Sequence, residues 1–285
     1  MATTITAGNS TNGAAITSDN TGILEIKTGT GAGTTAMTLN ASQQATFAGQ
    51  ASFTGQASFT EQVTLSNQLN LAAGTTTIAP IDFVAGTNLT TALAGAVEYD
   101  GRVFYATPQG TQRGVVPGSQ FFRLNSTVVG ANVNTVQSVF GVGVTLSAST
   151  VYAFEAVYAF LKTAGATSHN FSLGFGGTAT VNNIAYRPIT TYSYVSLATL
   201  ATNTTGPTFV QTLAHSNIQS GLASATVALH TTIHGTISVS AGGTLIPQYA
   251  MSVAPGGAYT TQIGSYFLIY PIGAAGANTS VGTWA

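Results

Sequence analysis

The sequence of 285 residues has no cysteine, one tryptophan and very little charge: six Lys or Arg and seven Asp or Glu, 5% of the chain. Each scarcity excludes something. Without cysteine there are neither disulfides nor thiolate metal sites. The six basic residues (Lys27, Arg102, Arg113, Arg123, Lys162 and Arg187) are scattered, so no basic stripe exists to neutralise phosphates and nucleic acid is not an expected partner. No run approaches the roughly 18 consecutive apolar residues of a membrane-spanning helix. The opening Met1-Ala2-Thr3-Thr4-Ile5-Thr6 has no basic n-region or apolar h-region, so no signal peptide is read there and synthesis in a cytoplasm is the expectation.

What replaces the charge is Thr, Ser, Asn, Gln, Gly and Ala. Hydrophobic residues reach 44% and mean hydropathy is +0.31, which argues against disorder, since disordered chains combine low hydrophobicity with high charge. A net charge of −1 gives little colloidal repulsion. The expectation is a chain whose native state is an association of copies.

Strand signals run from end to end: Thr, Val, Ile, Phe and Tyr alternate with small polar residues, punctuated by Gly, Pro or Asn. Helical spacing is missing, and the best helical candidate, Thr90 to Val97, is short and rich in Ala and Gly. The most informative stretch is Ala45 to Gly74, which divides into ATFAGQ, ASFTGQ, ASFTEQ, VTLSNQ and LNLAAG. Phe47, Phe53, Phe59, Leu65 and Leu71 recur every six residues, as do Gln50, Gln56, Gln62 and Gln68. Alternation within the hexads leaves one face dry and one wet. Five hexads are too few for a single-chain β-helix, because stacked repeats need about three coil units to bury a continuous core. Three chains wound about one axis would place the Phe and Leu rungs inside. The alternative is a long amphipathic hairpin packed on the rest of the chain.

The organisation read from this is an N-terminal attachment region (1–44) with the glycine-rich Thr28-Gly29-Thr30-Gly31-Ala32-Gly33, a hexad stalk (45–80), a linker hairpin (81–118) and a head (119–285). The linker carries Asp82, Glu98, Asp100, Arg102 and Arg113 and a turn at Asp100-Gly101, a strong hairpin signal. In the head, strands are expected at Val139–Leu146, Val151–Lys162, Asn170–Phe175, Ala225–Val239, Leu245–Ser252 and Tyr266–Pro271. Strands at this spacing predict an all-β sandwich or jelly roll. Only Arg123, Glu155, Lys162 and Arg187 are charged there, so one flank of the head is expected to be covered by another copy.

Three stretches resemble fibre proteins of tailed bacteriophages, especially those of marine bacteria and cyanobacteria. These are TGILEIKTGTGAGTTAMTLNASQQATFAG within Ala14 to Gln50, LTTALAGAVEYDGRVFYATPQGTQRGVV from Leu89 to Val116, and the C-terminal VFGVGVTLSASTVYAFEAVY, HNFSLGFGGTAT, AGGTLIPQYAMSVAPGGAY and GSYFLIYPIG…VGTWA. The resemblance implies a homotrimer within a virion, assembled in the host cytoplasm, bound to other virion proteins through its N-terminal region, with a jelly-roll head meeting a host-surface glycan or protein. A capsid-decorating fibre or a tail-assembly protein without receptor binding is the competing reading.

Enzymatic chemistry finds little support. Glycan cleavage needs two carboxylates about 5–10 Å apart, and the head has one acid, Glu155. Gly-x-Ser-x-Gly and phosphate-loop motifs are absent, and no cofactor is expected. His230 and His234 share one face of a predicted strand with Thr232, opposite Leu229, Thr231 and Ile233. On a three-fold axis they are weak candidates for a metal, while a solvated sheet face is the plainer reading. His169 and His215 fall beside predicted loops and are expected to be exposed. Tyr186, Tyr192 and Tyr194 flank Pro188 in a loop-like stretch and are candidates for receptor contact, against which stands simple packing.

Overall fold

A computed structural model describes residues 23–28, 34–40, 42, 44–48, 51–53, 57–60, 63–200 and 209–284. Residues 1–22, the glycine run 29–33, and Gln50, Gln56 and Gln62 lie outside the described residues. The chain divides into two units, Met1–Thr75 and Thr76–Ala285.

In the first unit β1 (Leu24–Thr28), β2 (Thr34–Leu39) and β3 (Ala45–Phe47) form an antiparallel sheet in that order. Ile26, Met37 and Phe47 face one another across it, an apolar row of the kind that sets register. The β2–β3 turn is tied by Asn40, whose Oδ1 accepts the Ser42 and Gln44 N–H groups at 3.0 Å each. From residue 48 to residue 75 no strand occurs among the described residues.

The second unit opens with β4 (Val97–Tyr99), β5 (Phe104–Ala106) and β6 (Gly114–Val116), a three-stranded antiparallel sheet. The expected hairpin is present, with Arg102 and Val103 in its loop rather than in a strand. Gly101 takes φ +87°, a left-handed turn conformation that glycine adopts without a Cβ penalty. Asp100 Oδ1 accepts both the Arg102 and Val103 N–H groups (2.8 Å each), and Oδ2 accepts the Tyr105 hydroxyl (3.0 Å). Burial alone would raise the Asp100 pKa, but these hydrogen bonds outweigh it and hold the carboxyl below the usual range. Glu98 and Arg113 form a two-pronged pair (2.8 and 3.2 Å), and both also bond the Leu89 backbone.

The remaining strands are β7 (Gln120–Arg123), β8 (Val128–Val129), β9 (Gln137–Ser138), β10 (Val144–Leu146), β11 (Thr150–Lys162), β12 (His169–Gly177), β13 (Thr180–Ser193), β14 (Ser216–Leu222), β15 (Val227–Ala241), β16 (Gly243–Met251), β17 (Thr260–Thr261) and β18 (Tyr266–Ala274). One sheet has seven strands: β13-β15-β11 continues into β18-β7 and, farther along β11, into β17-β8. The other has five, β10-β16-β12-β14, with β9 also on β16. All pairings are antiparallel. From β10 to β17 each successive strand lies in the sheet opposite its predecessor.

β11 explains the core. Tyr152, Phe154, Ala156, Tyr158 and Phe160 alternate inward and are buried. Their rings reach the other sheet: Phe154 lies 5.6 Å from Phe175, and Phe160 lies 4.9 Å from Phe171 and 5.2 Å from Tyr249. Aromatic rings suit the roughly 10 Å between packed sheets, and each edge or offset contact adds about 0.5–1.5 kcal/mol beyond area burial.

The structure corrects several expectations. Val139–Leu146 is not one strand: β9 ends at Ser138, Gly141 turns at φ +75°, and only Val144–Leu146 pairs. β13 and β14 occupy stretches where no strand is predicted. No α-helix occurs among the described residues, and Thr90–Val97 is irregular until β4 begins at Val97. Among the described residues the sole helical element is a 3₁₀ turn at Leu197–Thr199.

Candidate interaction surfaces

The hexad rungs are bare in a single chain. Phe47, Phe53, Phe59, Leu65 and Leu71 are between 40% and 65% exposed. Large apolar side chains left uncovered at this fixed spacing are a surface that water penalises at about 25 cal/mol per Å². Neither a hairpin nor any other described pairing covers Phe53 or Phe59.

The histidine strand is β15. Leu229, Thr231 and Ile233 are buried against the five-stranded sheet while His230, Thr232 and His234 point outward, as the alternation predicts. Cross-strand register then sets Arg187 (β13), His234 (β15), Glu155 (β11), Leu268 (β18) and Phe121 (β7) in one outward row. The neighbouring row holds Ile189, Thr232, Val157, Tyr266 and Arg123. The Tyr266 hydroxyl donates to Glu155 Oε1, and this bond is the main reason the phenol's pKa is raised. His234 Nδ1 lies 3.9 Å from Glu155 Oε2. Arg187 makes no ion pair or side-chain hydrogen bond among the described residues. Nor do three or more His, Asp or Glu gather in metal-binding geometry among them. His230 and His234 are four residues apart on one strand, with Thr232 between them.

The tyrosine trio is separated. Tyr186 is in β13, 1% exposed, with its ring 5.3 Å from Phe175 in the core. Its loop placement and surface role are therefore corrected. Burial pushes its pKa up to about 12, and its hydroxyl has no hydrogen-bond partner among the described residues. Tyr192 is half-buried and Tyr194 is exposed, the two rings 5.4 Å apart edge to face.

Neither of the two other expected surface residues is fully exposed. His169 is buried, its Nδ1 2.8 Å from the Thr167 carbonyl and its Nε2 2.8 Å from the Tyr259 hydroxyl. A carbonyl can only accept, so Nδ1 carries the proton and Nε2 accepts from Tyr259. His215 is half-buried. Sequence reasoning also missed Lys162, whose side chain has no exposed surface. Its ammonium shares three N–H donors among four backbone carbonyls: Ala164 (3.1 Å), Gly165 (2.5 Å), Ser224 (2.7 Å) and Ala225 (3.3 Å). The strand period could have found it, since Lys162 falls on the inward register of β11.

An apolar groove of about 280 Å³ opens where β7 and β10 flank the sandwich, lined by Phe121, Phe122, Phe140, Val142, Val144 and Ile269. Phe121 and Val142 are exposed at its rim. A more polar cavity of about 410 Å³, with Asn88, Thr90, Arg113 and Ser280 among its walls, lies beside the three-stranded sheet; its Arg113 is already held by Glu98. No protein-family profile matches the chain, and no curated protein matches its sequence.

Proposed function

We propose that the chain is a non-enzymatic structural fibre subunit of a tailed-bacteriophage virion. Three copies associate, the region 1–44 anchors them to other virion proteins, the hexads 45–80 wind into a β stalk, and the heads 119–285 face the host surface. The observation that carries this is the row of exposed rungs from Phe53 to Leu71, which has no use in an isolated chain and a direct one around a common axis. The nearly chargeless sandwich of residues 119–285 supports the same reading. The alternation of successive strands between two sheets from β10 onward supports a jelly roll for the head. Fibre action would rest on three identical heads, whose avidity offsets weak single-site affinity.

A capsid-decorating or tail-assembly role without receptor binding is the second reading. The burial of Tyr186 favours it, because only Tyr192 and Tyr194 of the expected contact group remain available to a receptor.

The test is native mass spectrometry of the full chain beside a Phe53→Ser/Phe59→Ser double variant. A wild-type mass of three times 28.8 kDa with weakened association in the variant is the expected result. A monomeric wild type would refute the reading. Imaging of labelled protein on particles then separates tail from capsid.

A further inference from the structure

We propose that the outer face of the seven-stranded sheet is where the head meets a second copy of this chain, with Glu155 of one copy paired to Arg187 of the next. This rests on the homotrimer proposed above and names its surface.

The two outer faces of the sandwich are built differently. On the five-stranded sheet the outward positions of β12 and β16 set Asn170, Ser172, Thr244 and Gln248 around Ile246 and Ala250, a mixed face that water solvates readily. On the seven-stranded sheet the central strand β11 turns Val151, Ala153, Val157 and Ala159 outward, and β18 sets Leu268 and Tyr270 beside them. A strand packed on one side alternates apolar with polar, whereas one covered on both sides reads as a near-continuous apolar run. β11, TVYAFEAVYAFLK, is of the second kind, interrupted only by Glu155 before its final Lys162. Its inward half is covered by the five-stranded sheet. Its outward half calls for a cover of its own.

The charges say what that cover is. The head has four charged side chains, Arg123, Glu155, Lys162 and Arg187. Lys162 is internal, and the other three all stand on this apolar face, none on the neutral one. Charges kept for solubility would be spread about. Isolated charges within an apolar patch instead fix register and exclude wrong partners. Within one chain Glu155 and Arg187 are two strands apart, with His234 between them, roughly 10 Å at the backbone. Arg123 is engaged by the Asn125 side chain, which leaves Arg187 as the head's guanidinium without a side-chain partner among the described residues. A ring of three requires unlike surfaces in contact, and a carboxylate on one side with a guanidinium on the other supplies that.

Because the chain has no cysteine, single introduced thiols report on each face. Ala153 and Ser172 are both half-buried in the isolated chain, on opposite faces. In the full chain under native conditions, the thiol of Ala153→Cys should react with maleimide at least tenfold more slowly than that of Ser172→Cys. Adding Glu155→Arg to Ala153→Cys should remove the protection, and adding Arg187→Glu as well should restore it. Equal rates for the two thiols in a chain of threefold native mass overturn this inference and leave the trimer standing. Equal rates in a chain of 28.8 kDa native mass overturn both. Protection that survives Glu155→Arg, or that Arg187→Glu fails to restore, overturns the ion pair.

Discussion

Lys162 offers the sharpest test of how this nearly chargeless head is held together. Its ammonium closes one end of the sandwich by gathering carbonyls from two loops, Ala164 and Gly165 on one and Ser224 and Ala225 on the other. Burial lowers its pKa, while four carbonyl oxygens favour its charged form. Replacing it in Lys162→Met keeps most of the stem and removes the donor. The carbonyls would then face an apolar methyl group, and hydrogen bonds to a charged donor are worth about 1.5–3 kcal/mol each without adding in full. Leaving buried carbonyls without their donor costs about 1–3 kcal/mol, because they keep their desolvation penalty. In a domain of this size each kcal/mol lowers the melting temperature by about 2–4 °C, so a fall of roughly 2–12 °C is expected. The core aromatics allow the transition to be followed by near-ultraviolet circular dichroism, with urea titration giving the free energy. A loss below about 0.5 kcal/mol, typical of a surface substitution, would refute the clamp.

Two further outcomes follow from the packing. Gly235→Ala should destabilise the head by about 1–3 kcal/mol, since a Cβ there would sit 2.6 Å from the Ala185 carbonyl oxygen, Phe154 and Tyr186; an unchanged urea midpoint would contradict it. Burial holds the His169 pKa below its ordinary 6.5, with Lys162 adding to the effect, so the folded head binds fewer protons than the unfolded chain. That contribution is whole above about pH 6.5 and is lost as pH falls below it. His215 is lowered for the same reason. Urea midpoints at about pH 7.5 and 5.5 should therefore differ less in His169→Gln than in the unaltered protein, and identical differences would count against the assignment.

The long strands were legible because they alternate. β11, β12, β15, β16 and β18 begin within two residues of the positions that Val151, Asn170, Ala225, Leu245 and Tyr266 mark in the sequence. β13 was hidden by Pro188 and its neighbouring Asn182 and Asn183, which read as a loop. It is the outermost strand beside β15, the place where a missing backbone donor is tolerated. β14, SNIQSGL, has too little apolar content to announce itself, and its register is irregular against β12. The inward side of Lys162 could be read from the strand period, but the partners that hold His169 and Lys162 could not be read locally. One depends on Tyr259, ninety residues on, and the other on backbone carbonyls that no side-chain pattern encodes. Of the candidate surfaces, the outward placement of His230 and His234 was readable from period two. The Tyr186 side chain was misplaced because its strand was not recognised.

The pairing of β11 with β18 also sets a clock. Glu155 and the tyrosine that bonds it are 111 residues apart, and translation at about 5–20 residues per second leaves an interval of roughly 6–20 s between them. Until β18 is made, β11 lacks the neighbour that brings Leu268 and Tyr270 to its outward side, and the apolar face is incomplete.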